Sequence, residues 1–123
     1  MDVIFYEVFA EEERALRSFL PAQVKAGFTA KTIQAQSDRK PPAALISVRT
    51  QSEIPPNWDR QLKGILTRSQ GYDHLHAFRR TTGHNISYGY LGDYCSRAVA
   101  EHAVLAMMVL LRKLKKQMDC FET

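Results

Sequence analysis

Ala43-Ala44-Leu45-Ile46-Ser47-Val48 is a short, nearly continuous apolar run, and Gly64-Ile65-Leu66-Thr67 is a second one. Short unbroken runs of this kind mark the central strands of a parallel sheet, which have no wet face to show as alternation. Working outward, Val3 to Phe9 is rich in β-branched and aromatic residues and predicts a first strand buried on both faces. Glu11, Glu12 and Glu13 follow, where a helix N-terminus favours anions. Ala15, Leu16, Phe19 and Leu20 form an apolar stripe at helical spacing, and Pro21 marks its end. Phe28 to Ile33 alternates loosely and predicts a second strand.

The polar stretch Ser37-Asp38-Arg39-Lys40-Pro41-Pro42 reads as a loop. Pro55-Pro56 opens a helix with Trp58 and Leu62 on its inner face. Asp73 caps a helix that carries Leu75 and Phe78 and ends at Gly83. Ile86, Tyr88 and Tyr90 alternate as a last strand, and a long helix runs from near Ser96 to about Gln117. Strands alternating with helices imply a three-layer α/β domain with a parallel sheet. The gap between Ile33 and Ala43 is too short for a normal crossover helix. Either a bare loop bridges it, or the second strand lies elsewhere.

The 123 residues are of single-domain size, with 45% hydrophobic and 24% charged residues, an ordinary globular balance. The net charge is +4, but Arg112, Lys113, Lys115 and Lys116 alone account for it. Cations at a helix C-terminus complement its dipole, so the charge does not indicate nucleic acid. The N-terminus lacks the basic start and long apolar core of a secretory signal. The most apolar stretch, Ala103 to Leu111, is far shorter than the roughly 20 residues that cross a bilayer. Cys95 and Cys120 show no disulfide or metal spacing, so a reduced, cytoplasmic setting is expected. His74, His76, His84 and His102 form no ligand pattern with carboxylates or cysteines, and no metal site is expected. No phosphate loop and no Gly-x-Ser-x-Gly elbow is present.

Two loops are candidates for ligand contact, because open α/β sheets bind ligands beyond the carboxyl ends of their strands. Ser47-Val48-Arg49-Thr50 ends one strand; Arg49 is either a solvated side chain or a charge-assisted donor to a carboxylate. Thr50 is either a plain strand end or the donor of a backbone N–H. Ser69-Gln70-Gly71-Tyr72-Asp73 ends the next strand and enters a helix, where unpaired N–H groups receive anions. Gly71 admits a close ligand, serves the turn geometry, or does both.

Three phrases recur in a meaningful order: Ser69-Gln70-Gly71-Tyr72-Asp73-His74-Leu75, then Tyr94-Cys95-Ser96-Arg97-Ala98-Val99-Ala100-Glu101-His102, then an apolar helix into Leu111-Arg112-Lys113-Leu114. Together they resemble the front part of the D-isomer-specific 2-hydroxyacid dehydrogenases, over roughly Ala43 to Leu114. The first forty residues fit only in their strand-helix-strand order. Gly92 departs from the family, which usually has proline two residues before the tyrosine, and Gly83 to Gly92 is longer than usual. The resemblance implies a flavodoxin-like substrate-binding (catalytic) domain over 1–95 and a long helix over 96–117 that links domains and packs in a dimer.

It also implies a substrate cleft. Arg49 and Thr50 face the substrate carboxylate, and the backbone of Gln70 and Gly71 holds it. Tyr94 lines the cleft or packs the strand-to-helix corner, and Val99 lies near the nicotinamide side. The family's catalytic histidine, its carboxylate partner and its arginine lie in or beyond a cofactor domain that opens with a Gly-x-Gly-x-x-Gly loop. The sequence reaches Thr123 without that loop. The expectation is therefore a truncated portion of an NAD- or NADP-dependent oxidoreductase of 2-keto and D-2-hydroxy acids. By itself the chain would be inactive, with no catalytic residue and no bound cofactor.

From Ala98 to Leu111 only Glu101 and His102 are polar. A helix apolar nearly all round must be buried nearly all round, so either it is the central core helix of a different fold or part of its surface meets something outside a small single sheet, which the resemblance implies is a second copy in a homodimer. Met107 and Met108 suit an adaptable packing surface. Two other readings are a non-catalytic interaction module derived from the dehydrogenase scaffold and a free-standing flavodoxin-like domain for a small anion.

Overall fold

The computed structural model describes residues 1–83 and 86–121. The chain divides into two compact units, Met1–Gly92 and Asp93–Thr123. The first contains β1 (Val3–Phe5), α1 (Ala10–Phe19), β2 (Ala26–Phe28), α2 (Ile33–Gln36), β3 (Leu45–Val48), a 3-10 turn (Pro56–Trp58), β4 (Gly64–Thr67), α3 (Asp73–Thr81) and β5 (Ser87–Gly89). The second contains α4 (Ser96–Leu111) and α5 (Leu114–Phe121).

The five strands form one parallel sheet in the order β2-β1-β3-β4-β5. This is the flavodoxin-like order, with its topological switch point between β1 and β3. On one face Ile4, Tyr6, Ile46, Val48 and Ile65 pack against Ile33 of α2, Trp58, Leu62, and Leu75 and Phe78 of α3. Trp58 is fully buried. On the other face Phe5 stacks on Phe28 at 5.0 Å, and Arg17 of α1 lies 4.3 Å over the Phe28 ring. Leu45 and Leu66 on this face remain 45% and 40% exposed, so β3 and β4 are not buried on both sides as their sequence implied. With right-handed crossovers, α1 is the connection carried to this face, and it covers the β1–β2 side.

The second strand is Ala26–Phe28 and not Phe28 to Ile33. Ile33 instead opens α2, because the Thr32 side chain accepts from Ala35 N at 3.3 Å and caps a helical turn. Its N–H donates to Ser52 Oγ at 3.3 Å, and its side chain fills the core from a helix. That short helix resolves the crossover that appeared too cramped. The first strand's ladder stops at Phe5, and pairing beyond it is irregular because Glu7 takes a left-handed φ of 57°.

Other boundaries shift for local reasons. Tyr72, not Asp73, holds the N-cap position of α3; Asp73 sits in the first turn, where its charge still meets the helix dipole. The helix ends at Thr81, before Gly83, and Thr81 and Thr82 hydroxyls both donate to the Phe78 carbonyl. Ser96 is the first residue of α4 and Cys95 its cap position. The long helix does not run unbroken to Gln117. It closes at Leu111, with Arg112 N–H bonded to the Met108 carbonyl and Lys113 in a left-handed conformation (φ 50°), before α5 begins. A left-handed residue after the last turn satisfies helix-end carbonyls.

Most large apolar side chains of α4 lie open: Val104, Leu105, Met107 and Met108 are all more than half exposed, Val109 is half-buried, and no residue of α4 is buried. His102 is exposed as well, not packed. No helix among the described residues is long and apolar enough to cross a membrane.

Candidate functional site

The carboxyl ends of β1, β3 and β4 bring together Glu7, Arg49 and Arg68, and Glu12 joins them from the start of α1. Arg68 follows β4 directly and is buried, at 6% exposure. A buried guanidinium needs partners for its donors, and this one has them. Its Nε donates to Glu12 Oε1 at 2.8 Å, Nη1 to Ser47 Oγ at 2.9 Å, and Nη2 to the Tyr6 carbonyl at 2.5 Å. The second acid, Glu7, is buried too. Its two carboxylate oxygens accept the backbone N–H groups of Arg49 at 2.9 Å and Gln51 at 3.1 Å.

Arg49 stands beside this pair. Its Nη2 is 3.7 Å from Glu12 Oε1, an ion pair without hydrogen-bond geometry, and its guanidinium lies 5.0 Å over the Phe9 ring. Its Nε is buried and has no protein partner. Thr50, next in the loop, is exposed.

Beyond β4 the chain turns into α3 through Ser69, Gln70 and Gly71. The Ser69 hydroxyl is 2.7 Å from Thr67 Oγ1 and donates to the Gly71 carbonyl at 2.7 Å. Gly71 has no positive φ, so the turn does not require glycine for its backbone conformation. A Cβ there would meet nothing within 4 Å: the space above Gly71 is open.

His74 lies in the first turn of α3 with a buried Nε2 that has no protein partner. Burial lowers its pKa, against the opposing pull of the Glu7 and Asp73 charges, so the ring is mainly neutral near pH 7. Between α3 and the loop after β3 runs a groove of about 270 Å³ lined by Thr50, Ser52, His74 and Phe78 among others.

Four of the sequence-predicted contacts thus belong to the first unit, Arg49 and Thr50 after β3 and Gln70 and Gly71 after β4. Tyr94 and Val99 belong to the second unit, where they are 60% and 61% exposed. Sequence reasoning missed Glu7, Glu12, Arg68 and His74. Arg68 lies just past a predicted strand end, a signal that Arg49 also carried; Glu7 fell inside the predicted strand Val3 to Phe9, and Glu12 and His74 on predicted helices. His84 falls outside the described residues; among the described residues no group of histidines, cysteines or carboxylates could hold a metal.

No protein-family profile matches the sequence, and no curated protein matches it. Among solved structures the chain is similar to D-lactate dehydrogenase from Aquifex aeolicus, complexed with NAD and lactic acid, with a TM-score of 0.73 and 24% identity. The match covers 96% of this chain and 36% of that one, so the chain spans about a third of the dehydrogenase's length. At that identity the likeness is one of fold.

Proposed function

We propose that this chain is the substrate-side domain of an NAD(P)-dependent D-2-hydroxyacid dehydrogenase. The observation that carries the reading is an agreement between two independent lines. The ordered phrases from Ser69 to Leu114 resemble that family, and the fold is similar to about a third of a D-lactate dehydrogenase. The role of this chain in such an enzyme is to hold the carboxylate of a 2-keto or D-2-hydroxy acid. Arg49 contributes a guanidinium with an unfilled Nε donor, Thr50 lies exposed beside it, and the Gln70–Gly71 turn contributes backbone N–H groups at a helix start. Tyr94 as a lining residue and Val99 as a nicotinamide-side residue belong to the same proposal on the strength of the family resemblance alone.

The residues present do not fit a nicotinamide dinucleotide. No Gly-x-Gly-x-x-Gly occurs in the sequence, and β1 runs into Glu7, Val8 and Phe9 with no glycine turn after it. We therefore route no hydride-transfer step through this chain and assign it no catalytic residue. Domain limits of 1–95 and 96–117 and a cytoplasmic setting belong to the same proposal.

The test is a titration of the purified chain with oxamate, an unreactive 2-keto acid mimic, followed by amide resonances. Shifts confined to Arg49, Thr50, Gln70 and Gly71 are expected, without NADH oxidation when pyruvate and NADH are added. Shifts elsewhere, or none at millimolar oxamate, would overturn the reading. A second reading, an interaction module built on the same scaffold, is favoured by one observation: the apolar side chains of α4 are exposed.

A further inference from the structure

Backbone N–H groups at the end of a central strand are the usual anion receptors of this architecture. Here two of them are already filled. Glu7 Oε2 takes the N–H of Arg49 and Oε1 that of Gln51, across 42 and 44 residues of sequence. The carboxylate thus occupies, from within the chain, a place shaped for an anion from solution. The arrangement has a backbone cost. Glu7 is held at φ 57°, a region that disfavours a side chain of its length, while its N–H and carbonyl remain bonded to Lys31 and Arg68.

The charge balance around it is equally informative. Arg68 is consumed by Glu12, Ser47 and the Tyr6 carbonyl. Arg49 has Glu12 at 3.7 Å and Glu7 bonded to its own N–H. Asp73 adds a further negative charge near His74, whose ring is mainly neutral. The two arginines are therefore already matched by two carboxylates, Glu7 and Glu12, before any ligand arrives. One incoming carboxylate can use the part-exposed Arg49 guanidinium and the open space over Gly71; a second would add to the charges of Glu7 and Glu12.

We infer that Glu7 is a positioning residue: it is the resident anion of the Arg49–Gln51 loop, and it restricts the cleft to ligands bearing a single carboxylate. The inference rests on the substrate-side reading above and names the substrate class of that site. Glu7 fixes the loop so that Arg49 is presented by its side chain, and its charge sets the selectivity.

The experiment compares the chain with Glu7→Gln and Glu7→Asp by amide resonances, using 2-oxopentanoate and 2-oxopentanedioate as probes. These acids share one carbon skeleton and differ by the second carboxylate. The parent chain should bind the monoacid about tenfold more tightly than the diacid. In Glu7→Gln the Arg49 and Gln51 amide protons should move upfield together and the preference should shrink to about threefold or less. Glu7→Asp keeps the charge and suits the left-handed backbone better, so it should retain the preference while shifting both amides through its shorter reach.

Equal binding of both acids by the parent chain overturns the inference, as does a preference that survives Glu7→Gln unchanged. Unmoved amides with intact monoacid binding overturn the role of Glu7 and leave the substrate-side reading standing. Moved amides with no binding of either acid overturn the substrate-side reading and the selectivity, while supporting Glu7 as the loop's resident anion. If Glu7→Gln does not fold, the two amides and the probe preference in Glu7→Asp decide the matter: both amides unmoved would refute it.

Discussion

Arg68 Nε donates to Glu12 Oε1 at 2.8 Å and so ties the end of β4 to the first turn of α1, with a guanidinium that is 6% exposed. The bond joins opposite ends of the sheet's connectivity and anchors the cluster at the switch point. Removing Arg68 leaves the part-buried Glu12 with only the more distant Arg49 and takes a buried donor from Ser47 Oγ and the Tyr6 carbonyl, which costs more than the pair itself contributes. Arg68→Met should therefore lower unfolding stability by about 3 kcal/mol in urea denaturation. Arg68→Lys should recover only part of that loss, because one ammonium cannot reach Glu12, Ser47 and the Tyr6 carbonyl together. A loss below about 1 kcal/mol for Arg68→Met would contradict this account.

Gly71 offers a cleaner separation of stability from binding. Its backbone lacks a positive φ and a Cβ would meet nothing within 4 Å, so Gly71→Ala should change stability by no more than about 1 kcal/mol. The new methyl would nevertheless stand in the proposed path of the ligand carboxylate. Oxamate binding should weaken about tenfold, the equivalent of losing one charge-assisted hydrogen bond. Unchanged binding with unchanged stability would remove the Gln70–Gly71 turn from the site.

Two groups give stability a pH dependence, with opposite limits. His74 has its pKa lowered from 6.5 by burial, so the unfolded chain binds its proton more readily than the folded one. Its contribution is complete above the unfolded value and is lost as pH falls through 6.5 toward the depressed folded value. His74→Gln should flatten that acid limb in urea midpoints measured from pH 5 to 8.

Tyr6 shows the reverse sign. Burial, the Asp38 charge and a 3.2 Å hydrogen bond to Asp38 Oδ2 all raise its pKa above 10.0. The folded state then keeps a proton the unfolded state releases, so stability is constant below pH 10 and declines above it. Tyr6→Phe should abolish that alkaline decline at the cost of one hydrogen bond, roughly 1 kcal/mol at neutral pH. A decline of equal slope in Tyr6→Phe would assign it to another group.

The exposed side chains of α4 predict self-association. Leu105 and Met108 are 58% and 55% exposed on a helix with almost no polar residue, and burying them against a second copy is the proposed use. Sedimentation should show a concentration-dependent dimer, and Leu105→Glu with Met108→Glu should return it to monomer. A monomer at all concentrations in the unsubstituted chain would exclude this role for 98–111.

The sequence by itself determined what is local. β4 lies at Gly64–Thr67 and β3 ends at Val48, where the unbroken apolar runs placed them, although Leu45 and Leu66 leave one face partly open. Trp58 and Leu62 face the core, but the helix expected to carry both is only the 3-10 turn Pro56–Trp58. The tertiary structure decided what depends on distant partners. Ile33 is helical because Thr32 caps it and Ser52 receives its N–H, and a loose alternation cannot reveal either contact. The break at Lys113 divides a helix that composition alone made continuous. At the site, the sequence pointed to Arg49, Thr50, Gln70 and Gly71 through strand-end position. It was silent on Glu7, because nothing near Glu7 in the chain states that its carboxylate will close on amides 42 and 44 residues away. Hydrophobic pattern is periodic and survives as a local signal; a single buried charge acquires its meaning from the partners the fold brings to it.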